Sequence, residues 1–145
     1  MDPFDDVLTA NSAYAQTFSD AGIPGKAAKG LAVVTCMDSR ISPLDLLGLQ
    51  PGDAKILRNA GARVTDDVLR TLVLAVHLLE VSRVMVMPHT DCRMTKVTDE
   101  QVHDELLGRG IDTRSLEFRT VSNQIEELRR DVQKVRSSPY LPADL

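Results

Sequence analysis

The sequence predicts an α/β fold: a single domain with a mostly parallel sheet flanked by helices, preceded by an N-terminal helical arm. Three observations lead there. Short apolar runs rich in β-branched residues alternate with segments of helical periodicity. Each run stops at an abrupt cluster of polar or small residues: Cys36-Met37-Asp38-Ser39-Arg40, Asn59-Ala60-Gly61-Ala62, or His89-Thr90-Asp91-Cys92. All five aromatics (Phe4, Tyr14, Phe18, Phe118, Tyr140) lie outside residues 19–117, so the central core is aliphatic. At 145 residues, 43% of them hydrophobic, the chain is sized for one core, read as an arm over residues 1–25 and an α/β domain over 26–145.

The elements follow in order. Asp2 as N-cap, Pro3 at the first helical position, and Phe4, Val7, Leu8, Asn11, Ala15 and Phe18 at helical spacing predict an amphipathic first helix. Residues 20–25, with two glycines and a proline, tether it. Leu31–Thr35 is a buried strand, Pro43–Leu47 a brief helix, Pro51-Gly52-Asp53 a turn, and Ala54–Arg58 a second strand. Thr65–Glu80 is a helix with Asp66 and Asp67 at its positive end, apolar on nearly every side and so expected to be buried on more than one face. Arg83–Pro88 is the third strand. Thr98 with Gln101 forms a capping box for a helix to about Leu107, and Val121, Ile125, Leu128, Val132 and Val135 make one stripe of a last helix, its Arg and Glu residues read as a solvated face. In such sheets ligands bind beyond the carboxyl ends of the strands, at a switch point in strand order. That is where the loops after Thr35, Arg58 and Met87 converge.

Seventeen basic against 21 acidic residues leave a net charge of −4, and no basic stripe favours nucleic acid or an anionic membrane. No apolar stretch reaches the roughly 18 to 20 residues of a membrane span, and the first residues are acidic where a signal peptide would be basic. A cytoplasmic protein is expected. Two cysteines, Cys36 and Cys92, are too few for a disulfide scaffold.

They call for chemistry instead. A lone cysteine at a strand end is ordinarily a small buried hydrophobe. Cys36 and the His89/Cys92 pair, however, sit at matching strand ends, and two thiolates with an imidazole suit the tetrahedral, borderline-soft preference of Zn²⁺. Three ligands leave a fourth position open, which favours a catalytic over a closed structural site. His77 and His103 are badly placed to close it. No Cys-x-x-Cys supports a redox pair, and no Arg at position 42 supports a phosphatase loop, because Ser42 stands there.

Cys36-Met37-Asp38-Ser39-Arg40, Asn59-Ala60-Gly61, Thr65-Asp66-Asp67-Val68 and His89-Thr90-Asp91-Cys92, over about Asn11 to Pro142, resemble the signature of the β-class carbonic anhydrases, in their short, minimal form. The resemblance implies that Cys36, His89 and Cys92 bind zinc and that Asp38 and Arg40 form a dyad beside it. It also implies dimers, or higher homo-oligomers, that exchange N-terminal helices across an aliphatic cleft. The implied reaction is reversible hydration of carbon dioxide to bicarbonate and a proton by a zinc-bound hydroxide. Asn59, Ala60 and Gly61 then border the substrate pocket as backbone geometry rather than as catalysts. Arg40 would hold Asp38 by a charge-assisted pair; released, Asp38 could itself ligate the metal. Asp91 is read as capping a turn rather than binding metal.

Two departures qualify the resemblance. Arg93 stands where the family pattern has Gly, so strain in the turn or a narrowed pocket is expected, unless the side chain points to solvent. The pattern also continues into one more edge strand after Leu145, which is expected to be missing. Two other functions stay open: hydrolysis of carbonyl sulfide or carbon disulfide at the same site, or a non-catalytic zinc-stabilised regulatory or binding protein.

Overall fold

The central strand explains the architecture. In the computed structural model, which describes residues 2–145, β1 (Leu31–Cys36) is buried along its whole length. A strand apolar on both faces must be covered on both, and must lie between two other strands. It does: β2 (Ala54–Asn59) and β3 (Arg83–Met87) pair with it in parallel, in the order β2-β1-β3. Leu31 stands opposite Ala54 and Arg83, and Thr35 opposite Arg58 and Met87, so all three carboxyl ends finish at one edge. Because β2 and β3 lie on opposite sides of β1, strand order reverses there and the crevice opens at the end of β1. Thr35, fully buried, satisfies its hydroxyl by donating to the Met87 carbonyl at 2.8 Å.

The two faces of β1 have different covers. Ala32 and Val34 pack with Val64, Val68, Leu72, Ala75 and Val135, so one face is covered by α3 (Asp66–Leu78) and α5 (Gln124–Arg136). Leu31 and Val33 pack with Leu49, Leu44 and Leu47 around α2 (Pro43–Leu47). Gly48 closes α2 at φ 63°, a left-handed position that costs a glycine nothing. Thr65 caps α3, accepting from the Val68 amide. Only Val68, Leu72 and Ala75 of α3 are buried, whereas Leu74 and Leu78 are exposed, so its second apolar face has no cover within one chain.

The predicted boundaries hold to within a residue or two except at the last helix, where Val121, expected in its apolar stripe, lies three residues before α5 begins; α4 (Asp99–Gly108) is opened by the expected Thr98/Gln101 capping box. The first helix differs. α1 (Asp5–Gln16) starts after Pro3, with Phe4 at the N-cap position, because Asp2 Oδ1 accepts the Phe4 amide and folds the first residues into a turn instead. None of its residues is buried, and Phe4, Val7, Leu8, Tyr14 and Phe18 face solvent. Among the described residues no helix is long and apolar enough to cross a membrane.

Asp99 ties α4 to the segment before α5. Its carboxylate accepts from the amides of Phe118, Arg119 and Thr120, at 2.9, 3.1 and 2.8 Å, and from the Thr120 hydroxyl at 2.6 Å. Burial opposes the charge, yet these four donors outweigh it and hold its pKa at about 2.

Two outcomes are expected. Leu72, fully buried between α3 and the sheet, leaves a cavity on Leu72→Ala that costs about 3 kcal/mol in urea unfolding. The depressed pKa of Asp99 means its ionised form stabilises the fold above the ordinary carboxylate range. Asp99→Asn therefore lowers the Tm at pH 7, and the gap to the native protein closes as pH falls from about 4 to about 2.

Candidate metal centre

The site is assembled from the ends of β1, β2 and β3. β1 delivers Cys36 as its last residue; the loop after β3 delivers His89 and Cys92. One ligand atom from each lies within 4.8 Å of the others, and the two sulfurs are 3.9 Å apart. No other His, Cys, Asp or Glu among the described residues joins the group.

The donor set fits a metal on two counts. His89 Nδ1 faces the Thr90 carbonyl at 2.7 Å, so in the neutral ring Nδ1 carries the proton and Nε2 carries the lone pair. That Nε2 is buried and has no hydrogen-bond partner, a costly state for a polar atom unless it coordinates something. The sulfurs supply the other two donors. Burial opposes ionisation of Cys36, but N–H groups of Gly61 and Asp38, with His89 and Cys92, outweigh it and pull its pKa down. Burial pushes Cys92 up, and the neighbouring Cys36 adds to the shift. The first proton thus leaves Cys36, and a cation is what allows the second thiol to ionise.

Beside this trio Arg40 holds Asp38 in a fork, Nε to Oδ1 at 2.9 Å and Nη2 to Oδ2 at 2.7 Å. The fork keeps the Asp38 carboxyl far below the usual carboxylate range and raises Arg40 in return. Asp38 Oδ2 stops 3.7 Å from His89 Nε2, near the ligands but turned to the guanidinium. Arg40 spends its remaining donors on Asp91, Nη1 to Oδ2 at 2.8 Å and Nη2 to the carbonyl at 3.0 Å. The capping role expected of Asp91 is therefore corrected: its side chain is an acceptor for Arg40 and Lys96, and its backbone, at φ 56°, makes the turn between the two β3-loop ligands.

Arg93 is exposed, opens a short 3-10 helix (Arg93–Thr95), and is absent from the residues with positive φ. The expected strain does not arise, because this turn takes its left-handed residue at Asp91 instead.

The Asn59-Ala60-Gly61 loop has a split role. Asn59 turns inward to the Arg63 backbone, and Gly61, at φ 84°, donates its N–H to Cys36 Sγ at 3.4 Å. Asn59 and Ala60 also border a cavity of about 500 Å³ with Thr65, Val68 and Phe118, which none of the three candidate ligands lines. Two positioning residues escaped the sequence reading. Arg58 donates to the carbonyls of Cys36, Asp38 and Ile41, at 2.8, 2.6 and 3.3 Å, and so pins the loop after β1. Its place directly before Asn59, on a strand paired with β1, is the signal that was available. Gln124 donates to the His89 carbonyl at 2.8 Å, and nothing local marks it.

A family model described as "Carbonic anhydrase" matches residues 31–139. The chain is 31% identical over 137 residues to beta-carbonic anhydrase 1 of Mycobacterium tuberculosis, covering 94% of this chain and 83% of that protein. It is 42% identical over 90 residues to a carbon disulfide hydrolase of Acidianus, covering 62% of this chain and 43% of that one. The crystal structure of carbonic anhydrase from Streptococcus mutans superposes with a TM-score of 0.93 at 39% identity, over 99% of this chain and 87% of that one.

The split between the two thiols is measurable. In metal-free protein at pH 7, iodoacetamide is expected to modify Cys36 ahead of Cys92, the difference narrowing as pH rises, by mass spectrometry of the two peptides.

Proposed function

From the membership of this chain in the β-class carbonic anhydrase family, we propose that it catalyses the reversible hydration of carbon dioxide to bicarbonate and a proton. The observation that carries this reading is the buried, partnerless Nε2 of His89 aimed among two sulfurs. Cys36, His89 and Cys92 hold zinc, which supplies Lewis acidity toward water near neutral pH.

The chain's own residues do the rest. Asp38, kept ionised by the Arg40 fork, is acceptor-only, so it takes a hydrogen bond from the O–H of the attacking water and aims a lone pair at the carbon of carbon dioxide. Arg40 fixes the rotation of Asp38 and, through Asp91, its distance from the loop after β3. Gly61, buried beside Cys36, and Asn59 with Ala60 next to it shape the wall toward the substrate. Neutral histidine and two thiolates bring the summed charge with Zn²⁺ to zero, which makes the acidifying effect on water weaker than at a three-histidine site.

Two copies pair, each laying the apolar face of α1 on the other. The exposure of Phe4, Val7, Leu8, Tyr14 and Phe18 supports this pairing, and the uncovered Leu74 and Leu78 of α3 offer further apolar surface. A reducing cytoplasm suits two thiols kept free for a metal.

A second reading, hydrolysis of carbon disulfide or carbonyl sulfide on the same centre, is favoured by the similarity to the Acidianus enzyme. Metal analysis with stopped-flow carbon dioxide hydration across pH tests both. The expected result is one zinc per chain and activity that rises with pH, with Asp38→Ala lowering kcat/KM by about 10- to 100-fold while zinc content is retained. Sulfide release from carbon disulfide without carbon dioxide hydration establishes the second reading in its place. Zinc with neither activity leaves a zinc-stabilised binding protein.

A further inference from the structure

Helix α5 carries a polar stripe that the reaction above does not use. Gln124, Glu127, Asp131 and Lys134 follow one another at spacings of three, four and three, so they share one helix face. Glu126, Arg129, Arg130 and Arg136 are exposed, as expected of a solvated face, but Glu127 turns inward, and each side chain of the stripe reaches a segment next to the metal centre. Gln124 Nε2 donates to the His89 carbonyl at 2.8 Å. Lys134 Nζ donates to the Val64 carbonyl and to Asp66, both at 3.0 Å.

Between them lies Arg63. Its Nε donates to Asp131 at 2.7 Å, its Nη2 to Glu127 at 2.6 Å and its Nη1 to the Arg119 carbonyl at 2.8 Å. The Arg63 side chain is 11% exposed and that of Asp131 8%, so this is an interior ion pair. Its backbone is gripped from the other side by Asn59, which accepts the Arg63 amide at 2.8 Å and donates to the Arg63 carbonyl at 2.7 Å. The two grips enclose Gly61, whose N–H points at Cys36 Sγ. A Cβ at Gly61 would sit 3.2 Å from Met94, so the loop is already close-packed behind that contact.

We infer that Arg63, strapped to Asp131 and Glu127, is a positioning residue of the metal centre: it holds residues 59–64 where Gly61 donates to Cys36, while Gln124 on the same stripe sets His89. The inference rests on the reading that Cys36, His89 and Cys92 hold zinc. An N–H directed at a thiolate draws electron density off the sulfur, which keeps the metal electrophilic, and two ligands held in place before the metal arrives retain it longer. Without the strap the loop backs away, Cys36 donates more strongly and the site is looser.

The test pairs a strap-free variant with one on the other leg. Arg63→Met with Asp131→Leu replaces the ion pair by an apolar contact, a change that buried pairs often tolerate. Glu127 keeps a partner in it, Arg130 Nη1 at 2.6 Å. Zinc release to a chromogenic chelator is expected to accelerate by about 10-fold or more. In the cobalt-substituted protein the sulfur-to-metal charge-transfer band is expected to move to longer wavelength, with the unfolding midpoint of the metal-free protein preserved. Gln124→Ala is expected to accelerate release without moving the band, because it touches His89 and not the sulfur. A folded double variant with native release and an unshifted band overturns the inference. If the double variant does not fold, Glu127→Gln, which weakens one leg of the strap, decides: faster release with a shifted band supports the inference, and native release with an unshifted band overturns it. Wild-type protein that takes up no zinc overturns the reading of the centre together with this one, whereas zinc-loaded wild type with unaffected variants overturns the strap alone.

Discussion

Two sulfur atoms 3.9 Å apart, on residues 4% and 3% exposed, impose the condition around which the rest of the molecule is arranged. In a medium of low polarity two thiolates at that separation repel strongly, and neither is well hydrated. The surroundings meet this condition with the Gly61 N–H on one sulfur and a partnerless imidazole nitrogen within 4.8 Å of both. The parallel sheet is what makes the condition possible. β1 is buried on both faces and ends at a reversal of strand order, so its last residue meets the loop from β3 without any long insertion.

Two arginines then stabilise the centre in physically different ways. Arg40 is 59% exposed in its side chain, and its contacts with Asp38 and Asp91 contribute little to folding. What it supplies is geometry, since a bidentate fork leaves a carboxylate one orientation. Arg63 is interior, and removing one partner of its ion pair would strand a buried charge. The exposed arginine therefore orients Asp38 beside the three candidate ligands, and the buried one ties the loop of residues 59–64 to α5. Arg58 links the two regions by collecting carbonyls of the loop that carries Asp38.

Much of this was legible in the residues. The strands, α2, α3 and the capping box of α4 follow from apolar period and cap chemistry, which act over a few residues. The candidate ligands were legible because Cys and His at strand ends are chemically conspicuous. The polar stripe of α5 was not. Its apolar stripe at Ile125, Leu128, Val132 and Val135 sets the helix period, and charges off that stripe look like a solvated face unless the partner is known. Ile125 is in fact exposed while Asp131 is buried, an inversion that periodicity alone has no means to show. Arg93 illustrates the same limit from the other side, since whether a Gly position needs a left-handed backbone depends on which neighbour bears the turn.

Sequence alone therefore determined the α/β class, the order of its elements and the three residues suited to hold a metal, because helical and strand periods and ligand chemistry are properties of a residue and its near neighbours. Tertiary structure decided the proton position on His89, the aim of Gly61 at Cys36, the division of Arg40 between two aspartates, and the burial of Arg63 on a carboxylate 68 residues away. Long polar side chains reach whichever partner the packing brings within about 3 Å, and which segments meet is set by the burial of β1 and the strand order around it.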